Sequence, residues 1–370
     1  PHPNWLVGGV PSPINVNNVG AVGAVNMTQL NMVGDIIDRT IDFIDNVYIP
    51  DLLAIASFYK DWAQWGGGLS SKYLLSYGDC PKSANDYSAG NLMMPRGAII
   101  EGNLNEVHDV DLGKADEIRE QIAHSWYKYA GGKDSLHPWE GETDPDFDPG
   151  KAVKEGDTFK QFDESAKYSW VKAPRWNGHA MEVGPLARVV IGYVKGIPEY
   201  KEVVDMTLAK LGVPVTALFS TLGRTAARGL ETTIAAHALK GEYQKLIASI
   251  KAGDTATANQ QAHDPHTWPK SCKGYGFVEA PRGALGHWID IEDMKIKNYQ
   301  CIVPTTWNAS PRDGAGNIGA YEAALLNTPM ADPEKPLEIL RTIHSFDPCL
   351  ACATHVMDMD GNEVSSVKVR

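Results

Sequence analysis

Five apolar residues, Leu30, Val33, Ile37, Ile41 and Ile44, recur at spacings of three and four ahead of Tyr48. That period places them on one face of a helix, and such a face has to be buried against another element. Pro50 suits the first turn of a second helix through Leu52, Leu53, Ile55 and Phe58, which Gly66, Gly67 and Gly68 would stop. The two helices are expected to pack as a hairpin. Helical patterning returns between Gly184 and Gly253, with Leu186, Val189, Val190 and Tyr193 on one face and a long run from Val215 to Leu239 broken only by small residues. Between Gly274 and Val303 it gives way to short β-rich runs, Gly276–Val278, His287–Ile291 and Gln300–Val303, with a turn at Glu292 and Asp293. The polar stretch from Gly131 to Asp157 reads as a long surface excursion that wraps the core. No period of about 20–50 residues repeats, which excludes solenoids. The chain is expected to be mainly α with a small antiparallel β part, an α+β fold.

Length and charge narrow the partners. The 370 residues allow two or three domains or one large core. Acidic residues outnumber basic ones by 46 to 34, and a net charge of −12 repels phosphate backbones, so no nucleic acid is expected to bind. The longest uncharged stretch, Pro1 to Gly34, carries six asparagines and four prolines and is not expected to span a bilayer. The sequence opens on Pro1 with no initiator methionine and no signal-peptide pattern, and processing or truncation is expected to have removed the true start.

The five cysteines are Cys80, Cys272, Cys301, Cys349 and Cys352, an odd and scattered set that does not suit a disulfide scaffold. In Asp347-Pro-Cys-Leu-Ala-Cys-Ala-Thr-His355, two thiols and an imidazole fall at successive spacings of three. Soft thiolates and an imidazole so close together suit a transition metal, although a redox pair or a merely buried pair has the same spacing. Covalent haem attachment requires histidine directly after the second cysteine, and a structural zinc site requires a second ligand pair; neither is present. A second group surrounds Arg282, where Pro281 and Gly283 restrict the backbone. A guanidinium held in this way orients small anions, acts beside a metal, or pairs structurally with a carboxylate. His179 and Glu182, three apart, are expected to be a satisfied buried pair on a helix face, and the small residues of Gly223-Arg-Thr-Ala-Ala-Arg228 suit close helix packing.

Taken together, Asp347-Pro-Cys-x-x-Cys-x-x-His355, Ala280-Pro-Arg-Gly-Ala-Leu-Gly-His287, Val303-Pro-Thr-Thr-Trp-Asn308 followed by Pro311-Arg-Asp313, and Gly178-His-Ala-Met-Glu-Val-Gly184 resemble the large subunit of nickel–iron hydrogenases. The resemblance runs from Pro1 to Arg370. It is nearest the membrane-associated, periplasm-facing uptake group in Pro1-His-Pro-Asn-Trp-Leu-Val-Gly-Gly9 and Leu340-Arg-Thr-Ile-His-Ser-Phe346.

The resemblance implies reversible oxidation of dihydrogen at a nickel–iron centre whose iron carries cyanide and carbon monoxide. By position, Cys349 would be a terminal nickel ligand and Cys352 a bridge between the metals. Arg282 would stand over their open face with Asp347 as its charge partner, and Thr305 would donate to an iron-bound cyanide. Pro281 and Pro304 belong to the same cofactor-binding set. His355 would bind magnesium together with the backbone carbonyl of Cys301.

The family's other cysteine pair, in an Arg-x-Cys-Gly-x-Cys motif near its N terminus, has no counterpart here, so residues 1–355 are expected to be the C-terminal part of the catalytic domain. Residues 356–370 would be an extension removed after His355 on maturation. Val364, Val367 and Val369 suit an extended segment, Gly361 and Asn362 a turn, and pairing with the small sheet is one expectation for this tail. The implied partners are an iron–sulfur small subunit, a membrane cytochrome b, a maturation endopeptidase and nickel-delivery proteins, at the periplasmic side of the cytoplasmic membrane. Two rival readings are an electron-transfer subunit of the quinone-reductase type and a zinc-binding scaffold.

Overall fold

In the computed structural model the described residues are 6–7, 10–11, 27–83, 85–111, 113–114, 117–147, 154–155, 158–159, 166–254, 264–349, 353–357 and 363–368. The chain divides into two compact units, Pro1–Leu52 with Glu231–Lys270, and Leu53–Leu230 with Ser271–Arg370.

In the smaller unit, helix α1 (Met27–Phe43) buries Leu30 and Ile37, and Ile44 follows on the same stripe. Val33, expected on that face, is exposed. Lys240 and His237 of the helix Thr221–Lys251 pair with Asp38 and Asp45, and Tyr243 donates to the carbonyl of Leu30. The expected hairpin does not form. Residues Ile44–Tyr48 make a π-helical turn that runs directly into α2 (Ile49–Phe58), and the N–H of Ile49 bonds to the carbonyl five residues back. Pro50 has no N–H to give and its ring crowds the preceding turn; widening that turn absorbs the proline without breaking the helix.

The larger unit holds three small three-stranded sheets. In the first, β1 (Leu74–Pro81) pairs antiparallel with β2 (Leu92–Ile99). In the second, β3 (Ile118–Gln121) lies between β4 (Ser135–Leu136) and β5 (Ala173–Trp176), and the two-residue strand β6 (Glu182–Val183) joins β1 of the first sheet in parallel. Helix α3 (Pro185–Val194) packs on β1 and β2 with buried residues on nearly every side, and α4 (Pro198–Leu211) packs on α3. The Thr221–Lys251 helix is α5. The third sheet is the expected meander of β7 (Cys272–Ala280), β8 (Gly283–Glu292) and β9 (Lys295–Ile302). Its second turn falls at Asp293–Met294, one residue later than expected, with φ of 50° and 61° at its two central positions. Positive φ at both matches the right-handed twist of the flanking strands.

Leu75, Tyr77, Trp176, Val183, Ala284, Trp288, Ile302 and Trp307 form one core across these elements. The segment read as a surface excursion contributes to the interior, with Leu136, His137 and Pro138 buried, because β4 pairs on β3. Three short helices follow: α6 (Pro304–Asn308), α7 (Ala320–Leu325) and α8 (Leu337–Ser345). Strands β10 (Ala353–Met357) and β11 (Glu363–Lys368) close the chain as an antiparallel pair. The tail therefore pairs with the residues just before it and not with the β7–β9 sheet, consistent with the small closure entropy of a short loop. Gly361, Asn362 and Val369 lie outside the described residues. Among the described helices, none is long and apolar enough to cross a membrane.

Candidate metal centre

Arg282 sits in the two-residue turn between β7 and β8, closed by the pairing of Ala280 with Gly283. Two backbones cross here. A Cβ on Gly283 (φ 130°) would lie 2.7 Å from the nitrogen of Gly184, and one on Gly184 (φ 129°) would lie 3.1 Å from the carbonyl oxygen of Arg282. Arg188 of α3 donates to the carbonyls of Ala280 (3.1 Å) and Pro281 (3.0 Å), and its Nη1 lies 2.7 Å from Glu279 Oε2. The other oxygen of Glu279 accepts the Tyr77 N–H at 2.6 Å. Burial, with the Glu279 charge adding to it, pushes the Tyr77 phenol well above its ordinary range. The pair is fully buried, and its hydrogen bonds hold the turn that presents Arg282.

Cys349 reaches the same region from α8. Asp347 terminates that helix in the left-handed region (φ 56°), and its N–H bonds to the carbonyl of His344. Pro304 occupies the first turn of α6, where a missing N–H costs nothing. Thr305 follows it, buried, and its Oγ1 accepts the Cys349 N–H at 3.2 Å. Asn308 fastens α6 to β6 by accepting from Val183 N (3.0 Å) and donating to Val183 O (2.9 Å). Arg282 donates from Nε to the carbonyl of Asp347 (2.9 Å), and its Nη2 lies 3.3 Å from the Asp347 carboxylate.

Four expected site residues, Arg282, Asp347, Thr305 and Cys349, are thus brought together in two bonded pairs. Pro281 and Pro304 hold the turns beside them. Cys301 lies on β9 opposite His287, and partial burial pushes its thiol up, with the Glu120 charge adding and Lys172 opposing. His355 stands on β10 opposite Ser366; Cys352 lies outside the described residues.

The expected pairing of His179 with Glu182 is replaced. This segment is extended, so Glu182 meets Arg224 (2.7 and 2.9 Å) while the His179 ring stacks on Tyr73. Asp313 of the Pro-Arg-Asp motif pairs with buried Arg175 at 2.7 Å. Sequence reasoning assigned no role to Arg188, Glu279 or Asn308. The available signal was Glu279 standing directly before the Ala-Pro-Arg-Gly run.

The donor chemistry tests whether a metal fits. Among the described residues no group of three or more His, Cys, Asp and Glu side chains converges. Of the two donors on the segment after α8, the harder one, Asp347, is engaged by guanidiniums, whereas Cys349 is an exposed thiol. That leaves a soft sulfur donor, which suits nickel better than magnesium or calcium.

Residues 1–355 match the model of the nickel-dependent hydrogenase family, and the chain belongs to that family. It is 62% identical to the uptake hydrogenase large subunit of Bradyrhizobium diazoefficiens and 55% identical to the hydrogenase-1 large chain of Escherichia coli K12. Each alignment covers 100% of this chain, and the chain spans 62% of the length of these relatives. The nickel–iron–selenium hydrogenase of Desulfovibrio vulgaris Hildenborough in its as-isolated oxidised state superposes with a TM-score of 0.66 at 29% identity, over 89% of this chain and 62% of that one.

Proposed function

We propose that this chain is the catalytic part of the large subunit of an uptake nickel–iron hydrogenase, which oxidises dihydrogen reversibly to protons and electrons. The observation that carries the reading is the joining of Cys349 to Thr305 and of Asp347 to Arg282 across three separate elements, in a chain of this family. Cys349 and Cys352 would hold the nickel–iron pair as thiolates. When bound, the metal pair supplies the Lewis acid and redox site for splitting dihydrogen.

The chain's own residues do the rest. The turn held by Arg188 and Glu279 keeps Arg282 in place while its side chain stays half-exposed. Either the Cys349 sulfur takes the proton released, or the Arg282 guanidinium takes it after first giving up one of its own. Thr305 Oγ1 accepts from the Cys349 backbone, which leaves its own proton for a cyanide on iron. His355 and the Cys301 carbonyl would hold magnesium.

Electrons leave to an iron–sulfur small subunit, since a chain with five cysteines cannot also ligate clusters. A membrane cytochrome b, with the complex at the periplasmic face of the cytoplasmic membrane, completes the assembly. Nickel-delivery proteins load the site, and an endopeptidase then cuts after His355; the family match ending at residue 355 supports that boundary.

The test is Cys349→Ser in the full-length subunit with its small subunit. Hydrogen uptake is expected to vanish and nickel content to fall, because a hydroxyl is a much poorer donor for nickel than a thiolate. Uptake near that of the wild type overturns the proposal. Intact-mass measurement of the mature subunit is expected to show a chain ending at His355; an active enzyme retaining Arg370 removes that part of the reading.

A further inference from the structure

Helix α5 offers two guanidiniums, four residues apart, to the segment that leads into Cys349. Arg224 is saturated. Glu182 grips it with both oxygens, the carbonyls of Gly66 and Gly67 accept at 2.5 and 2.9 Å, and its Cζ lies 3.8 Å from the centre of the Phe346 ring. It anchors structure and nothing else is asked of it.

Arg228, one turn later, is only partly buried. Its Nη2 donates to the carbonyl of Ser345 at 3.0 Å, and its Nε lies 3.9 Å from Asp347 Oδ2. The other oxygen of that carboxylate, Oδ1, lies 3.3 Å from Arg282 Nη2. One carboxylate therefore stands between two guanidiniums and turns one oxygen to each. This arrangement is not the one a lone pair would choose, since arginine and carboxylate favour a fork with two parallel bonds. The fork is absent here, and Oδ2 faces Arg228 at ion-pair range without a hydrogen bond. Among the described residues, Arg282 is fixed through Nε and Nη2, and its Nη1 stays outside the pair.

We propose that Arg228 is a positioning residue for the reaction: its charge shares Asp347 with Arg282, so that Arg282 is gripped on one side only and keeps a terminal nitrogen outside the ion pair, free to give up one proton before taking the one released. This rests on the role given above to Arg282.

The test is a double-mutant cycle in the full-length subunit with its small subunit, reading kcat and KM for hydrogen, nickel and iron content, and the thermal midpoint. Arg228→Gln is expected to lower kcat about tenfold while KM and metal content stay within about twofold. In an Asp347→Asn background, where no carboxylate remains to be divided, the same change is expected to alter kcat by less than about twofold. An equal loss in both backgrounds overturns the proposal, because a residue that merely tethers Ser345 would act independently of Asp347. Should Arg228→Gln lose its metals, Arg228→Lys carries the cycle: a loss of about threefold is expected with Asp347 and none with Asn. A wild-type complex that consumes no hydrogen would overturn the proposed function instead. The Arg228 assignment, which rests on that function, would fall with it, whereas an active wild type with equal losses in both backgrounds overturns the Arg228 assignment alone.

Discussion

Arginine meets carboxylate in two kinds of surroundings within the larger unit. Arg188–Glu279, Arg175–Asp313 and Arg224–Glu182 are closed at 2.7 Å, with side-chain exposures between 0% and 3%. Arg282–Asp347 is opened to 3.3 Å, with exposures of 40% and 36%. The buried pairs also donate to backbone carbonyls; Arg175 alone reaches those of Pro174, Pro311 and Asn317 as well as Ser310. They join segments distant in the chain into one frame. The half-exposed pair is carried on that frame, and under the proposed function it keeps the freedom that chemistry needs. The proposed function thus assigns rigidity and reactivity to different copies of the same interaction.

If this division is right, breaking a buried pair costs stability and breaking the open one costs turnover. Glu279→Gln leaves an uncompensated buried guanidinium and is expected to destabilise the fold by about 3–5 kcal/mol in urea unfolding. A loss below about 1 kcal/mol would show that Arg188 finds other acceptors without strain. Arg282→Lys keeps the charge without the planar fork, and hydrogen turnover is expected to fall about 10²-fold while the thermal midpoint stays within about 2 °C. A large drop in that midpoint would move Arg282 to the buried class.

Acid should also separate the two classes. Burial pushes the Asp313 carboxyl up, but the hydrogen bond and charge of Arg175, with the bonds from Asn317, outweigh it and hold it below the usual carboxylate range. Its stabilisation is therefore complete above the unfolded value of about 3.9 and is lost as pH falls through the folded value. Urea unfolding from pH 7 downward is expected to show a steeper acid loss in the wild type than in Asp313→Asn. The smallest effect belongs to the solvent-exposed pair Lys201–Asp205 on α4, where Lys201→Ala is expected to leave the thermal midpoint unchanged within error.

What the sequence disclosed follows from the range of the interactions. Helices α1, α3 and α5 and the β7–β9 meander carry their period within a few residues, and each was legible. The turn after β7 and the Asp347–Cys349 segment were marked by prolines and glycines that restrict local backbone. The frame was not legible, because Arg175 and Asp313 are separated by 138 positions and no spacing rule links them. Strands β1 and β2 were missed for a related reason. Leu74 to Tyr77 are buried on both faces, so the alternation that marks a half-exposed strand is absent. At Pro50 the local signal was read correctly as a first-turn residue of α2, but the hairpin expected with it does not form, since the π turn carries the chain straight on from α1.

The crossing of Gly184 and Gly283 bears on how this region can be varied. Where side chains meet, a larger residue can often be accommodated by repacking its neighbours. Here each missing Cβ faces main chain, and main chain has nowhere to rotate. A saturation library over positions 183–184 and 282–283 is therefore a map with two fixed points: selection for folded protein should return glycine at both, while tolerating many residues at 282. Anyone seeking to alter the surroundings of this turn should diversify the residues that hang from the crossing and leave the crossing alone.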